Sequence, residues 1–149
     1  MNNAEALKQI REFEAHYKYD GTFMRELLEH LPAGLAKFNN FLPLSAHREK
    51  LSPEDYWVAK LAAMQVEDCG ECLQLNVRMA LEAGVSKALV RAAIQGGNEL
   101  PGNLRDVYLY AKSVAKHEPV DRYRFATERT LTINTAAAGG NAALLAEAH

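Results

Sequence analysis

At 149 residues, with 48% apolar and 24% charged side chains, the chain has ordinary globular make-up and is long enough to bury a core. Its formal net charge is -2 and its basic residues are scattered, Arg122 and Arg124 being the nearest thing to a patch, which argues against nucleic acid or an anionic membrane as partner. No apolar run approaches the ~20 residues of a membrane span, and the polar start lacks the apolar stretch of a signal peptide, so the expected setting is the cytoplasm.

Helical spacing dominates, and Val and Ile are too scattered for strands, so the fold class is all-α: a single-domain helical bundle of seven to eight helices. The first helix is predicted from Ala4 to Tyr17, with Leu7, Ile10, Phe13 and Ala15 facing inward. A turn at Tyr19-Asp20-Gly21-Thr22 separates it from a second, Phe23 to His30. Pro32 suits the first turn of a third, which carries Leu35, Phe38 and Leu42 on its inner face. Ser52-Pro53-Glu54-Asp55 is the clearest start signal: a capping hydroxyl, a proline fit for the first helical position, and two acids at the positive end of the helix dipole. The segment it opens, Tyr56 to Val66, is apolar nearly all round with Lys60 its one charge, as expected of a central buried helix.

Cys69-Gly70-Glu71-Cys72 opens the next helix, which runs to Ala83 and stops at Gly84. Ser86 caps another, ending at Gly96-Gly97. After a turn-rich stretch, Leu104, Val107, Tyr108, Ala111, Val114 and Ala115 mark an amphipathic helix that ends before Pro119. A last helical region follows Asp121; its Ala136-Ala137-Ala138-Gly139-Gly140 marks either a break or a close approach of another helix, for instance from a second subunit.

A Cys-x-x-Cys at a helix start sets both sulfurs near unpaired backbone N–H groups, which stabilise a thiolate, and near enough to each other to pair. Thiol–disulfide exchange needs little more: one thiolate attacks and the other sulfur resolves. Zinc would need about four ligands, and neither a second Cys pair nor a close pair among the five histidines is present, so no metal or other cofactor is expected. Inert buried cysteines are the stronger alternative, and redox use outweighs them. Glu67, Asp68 and Glu71 oppose the helix end, since nearby negative charge disfavours a thiolate. Asn76 lies one turn beyond Cys72 on the same face; it reads as an amide satisfied by backbone or as a donor to the Cys72 sulfur or a substrate.

From Leu51-Ser52-Pro53 through Cys69-Gly70-Glu71-Cys72, Ala80-Leu81-Glu82-Ala83-Gly84-Val85-Ser86 and Gly96-Gly97, the chain resembles the alkylhydroperoxidase-D/carboxymuconolactone decarboxylase family; Val107-Tyr108-Leu109-Tyr110-Ala111 is similar to that family's next helix. The resemblance covers residues 51 to about 115. It implies an all-helical homo-oligomer and, in active members, a dithiol peroxidase assisted by a Glu and a His. Cys69 and Cys72 match. The family histidine falls on Asn76 and the glutamate at or near Trp57, so the acid–base relay is replaced. Glu54, one turn before Trp57, and Glu67, beside the dithiol, are the candidate substitutes; Lys60 is a further one if it does not snorkel outward.

These readings converge on a thiol–disulfide oxidoreductase that reduces a peroxide or disulfide through Cys69 and Cys72 with a dithiol reductant. Its rivals are a non-catalytic helical oligomer binding a small molecule or protein, and a lactone decarboxylase-like enzyme. Cys69, nearer the helix end, is the more exposed candidate for attack.

Overall fold

The computed structural model describes residues 2–120, where it places seven α-helices and no strand. They are α1 (Asn3–Tyr17), α2 (Thr22–His30), α3 (Pro32–Ser45), α4 (Pro53–Val66), α5 (Gly70–Glu82), α6 (Lys87–Ile94) and α7 (Gly102–Ala115). The all-α class and each helix expected before residue 120 are present. Arg122, Arg124, the region after Asp121 and the run at 136 to 140 lie outside the described residues. Among those described, no helix is long and apolar enough to cross a membrane.

The chain divides into two compact units, Met1–Ala46 and His47–His149. In the first, Ala6, Ile10, Leu28 and Leu35 form a small core, with Leu7, Met24, Leu27 and Phe38 packed against it. Glu14 ties α1 to α2: its carboxylate accepts the Gly21 N–H at 2.9 Å and pairs with Arg25. Two side chains expected inside are exposed, Ala15 and Leu42. The inward stripe of α1 is Ala6, Ile10 and Phe13, and Ala15 falls roughly 200° from Phe13 around the helix, nearly opposite. Leu42 lies beyond its packing partner: α2 has nine residues against fourteen in α3, about 14 Å against about 21 Å, so the end of α3 overshoots it.

In the second unit α4 is the hub, packed by α5, α6 and most extensively by α7. It begins as expected: Ser52 caps it, its Oγ accepting the Asp55 N–H at 3.1 Å and donating to Asp55 Oδ2 at 2.7 Å. Asp55 is 1% exposed, and the Ser52 hydroxyl supplies one of its carboxylate oxygens with a donor. Val58, Ala59, Leu61 and Ala62 are buried with Val90, Ala93, Leu104, Val107, Tyr108 and Ala111 around them. Small residues along α4 allow its neighbours to approach from several sides, and a helix buried all round follows.

Candidate active site

Two residues, Glu67 and Asp68, turn the chain from α4 into the dithiol. The Glu67 N–H closes α4 on the Ala63 carbonyl at 3.2 Å, and Asp68 takes a left-handed backbone (φ 50), which Asp tolerates better than most residues. Cys69 then has extended backbone (φ -89, ψ 92) and is the N-cap of α5. Its Sγ accepts the Cys72 N–H at 3.3 Å, taking the place usually filled by a serine or aspartate oxygen. Cys69 and Cys72 are joined in a disulfide, their Cα atoms 5.2 Å apart, within the ordinary span for such a bridge. Both cysteines are partly exposed, and Gly70 and Glu71 between them are exposed.

The N–H of Cys72 is in direct contact with Cys69 Sγ, whereas the side chains of Glu67, Asp68 and Glu71 are exposed. Water screens those exposed acids, whereas the Cys72 N–H touches the Cys69 sulfur directly. Among the described residues no group of three or more His, Cys, Asp or Glu side chains forms a metal-holding set.

Asn76 is 7% exposed, one turn along α5. Its Nδ2 donates to the Cys72 carbonyl at 2.7 Å, so its donor goes to backbone rather than to sulfur. Its Oδ1 is buried without a hydrogen-bond partner among the described residues. The amide is thus half satisfied, an arrangement that composition and spacing give no means of foreseeing. Trp57 is buried and meets Tyr56 edge to face at 5.1 Å. Lys60 is partly buried; its Nζ donates to Tyr56 Oη at 3.2 Å and lies 5.4 Å and 5.3 Å from the ring centres of Tyr56 and Trp57.

Glu54 and Glu67 stand at opposite ends of α4, thirteen residues and about 20 Å apart along its axis. Glu67 adjoins the dithiol through the chain and is exposed; Glu54, partly buried, belongs to the first turn of α4. The structure therefore brings together Cys69, Cys72 and Asn76, with Glu67 at the edge, and leaves Glu54 at the far end of the neighbouring helix.

An all-helical arrangement of the described residues, with a redox-capable cysteine pair at a helix start, is the class that fold and site define. Residues 32–105 match the sequence model of the carboxymuconolactone decarboxylase family. The matched segment covers just under half of the chain; it runs from the start of α3 into α7 and so begins earlier than the resemblance at 51 to 115. Neither the curated proteins nor the solved structures give a match.

Proposed function

We propose that the protein is a dithiol–disulfide oxidoreductase of the alkylhydroperoxidase-D-like kind, reducing a peroxide or a disulfide. The observation that carries this reading is the position of Cys69: it caps α5, and the N–H that contacts its sulfur would stabilise its thiolate. Cys69 is then the attacking residue. With a hydroperoxide, the thiolate takes one oxygen as the O–O bond breaks, the alkoxide leaves as the alcohol after gaining a proton, and Cys69 becomes a sulfenic acid. The Cys72 thiol displaces water from it, forming the disulfide seen here. A dithiol reductant closes the cycle by exchange, becoming a disulfide itself. A cytoplasmic setting suits such a cycle, because the thiol pool there returns the pair to its reduced form. Self-association belongs to the same reading, and the exposed apolar side chains Phe41, Leu42 and Leu44 of α3 support it.

Consumption of an alkyl hydroperoxide with dithiothreitol tests the proposal. Cys69→Ser should abolish turnover, and Cys72→Ser should let peroxide convert Cys69 to a sulfenic acid without disulfide. Two thiols left unmodified by stoichiometric peroxide, as read by mass spectrometry, would overturn it. A second reading, a family member that binds but scarcely turns over, is favoured by Asn76 and Trp57, neither of which can carry a proton near neutral pH.

A further inference from the structure

The cationic end of Lys60 has no function in the chemistry above, and its surroundings are unusual. It lies partly buried on two aromatic rings, 5.4 Å from the centre of Tyr56 and 5.3 Å from that of Trp57, both rings themselves buried. The guanidinium of Arg48, from the stretch leading into α4, lies 5.6 Å from the same Tyr56 ring. Among the described residues no carboxylate is within ion-pair distance of either cation. Ring faces compensate part of the positive charge, and Tyr56 Oη takes one of the three ammonium protons. Two N–H donors and most of a full charge remain, held in place by the rings rather than free on a flexible stem.

We propose that Lys60 and Arg48, on the rings of Tyr56 and Trp57, form a binding site for a small organic monocarboxylate. The ammonium supplies a charge-assisted hydrogen bond to the carboxylate, and Arg48, on the same Tyr56 ring, adds a second positive charge. Glu54 and Asp55 in the first turn of α4 keep the local field from becoming strongly positive, so a single negative charge fits better than a phosphate dianion. By helical rise Lys60 lies about 10 Å along α4 from Glu67, and Asn76 about 10 Å along α5 from Cys69; the two-residue turn makes these helices a hairpin, so the site is level with Asn76 rather than with the sulfurs. The assignment is independent of thiol turnover.

Trp57 is the single tryptophan of the chain, so intrinsic fluorescence reports directly on this site. The full-length protein is titrated with propionate, propionamide and inorganic phosphate at constant ionic strength. Propionate should give a saturable change that propionamide does not, with phosphate weaker. Lys60→Met, which keeps the length of the stem, should weaken propionate by about tenfold or more, the value of one charge-assisted hydrogen bond, while Lys60→Arg retains binding. Should Lys60→Met fold poorly by circular dichroism, Arg48→Gln, expected to weaken propionate several-fold, carries the test. Equal responses to propionate and propionamide, or unchanged binding in the charge-removing variants, would overturn the site; phosphate binding as tightly as propionate would overturn the monocarboxylate assignment. Peroxide turnover is not read, so failure here leaves the dithiol proposal standing, and an inert dithiol leaves this site standing.

Discussion

Asn76 holds the key to how fast the dithiol can work. It stands where a proton carrier would be most useful, one turn from Cys72, yet its amide is spent on the Cys72 carbonyl and cannot titrate. Asn76→His places an imidazole there, and general acid–base assistance is typically worth ~10²- to 10⁴-fold. Thiol-dependent peroxide turnover should rise, with a pH dependence centred near the imidazole pKa of about 6.5. A slower variant would show that another group, such as Glu67, already moves the proton. Tyr108 offers a second test at this scale. Burial raises the pKa of its phenol, and the neighbouring Gln65 amide pulls weakly the other way. Because the folded state favours the neutral phenol, this contribution to stability is complete below the unfolded value of about 10 and is lost as pH rises through the higher folded pKa. Chemical denaturation between pH 9 and 11 should show that loss in the parent and not in Tyr108→Phe.

At the level of the elements, ends and turns decide more than propensities. Ser52 bonds both the Asp55 N–H and the Asp55 carboxylate. Ser52→Ala should cost about 1–2 kcal/mol, the upper part of the range for an N-cap, because a buried carboxylate also loses a donor. Urea unfolding measures this as a lower midpoint with unchanged slope. The α6–α7 connection is less tolerant. Gly97 has φ +77, and a Cβ there would meet ring carbons of Tyr108 at 2.5 to 2.8 Å. Gly97→Ala should cost at least about 2 kcal/mol, from left-handed strain together with displacement of a ring that is itself fully buried. Thermal melting that leaves this variant within a degree of the parent would refute the account.

On the scale of the whole molecule, exposed apolar surface is the outstanding feature. Leu44 is 64% exposed, Leu31 55% and Phe41 51%. This leads us to expect a homo-oligomer at micromolar concentration in sedimentation velocity. Phe41→Glu with Leu44→Glu should shift it toward monomer without loss of helix, and a parent that sediments only as monomer would contradict the expectation.

Helix order is legible in the sequence, because Ser52-Pro53, Gly84, Ser86 and Gly96-Gly97 punctuate the chain with residues whose backbone chemistry acts within a turn or two. The cysteine pair was legible for the same reason: three residues at a helix start bring two sulfurs together whatever the rest of the fold does. Residue spacing likewise put Asn76 on the face of Cys72, and could go no further. Which of its amide atoms found a partner, how far α3 would outrun α2, and that Lys60 would rest on two rings with no carboxylate near it among the described residues depended on side chains meeting across helices. Those meetings are set by helix length, packing and burial in three dimensions, and a linear pattern of apolar and polar residues holds only one half of each contact.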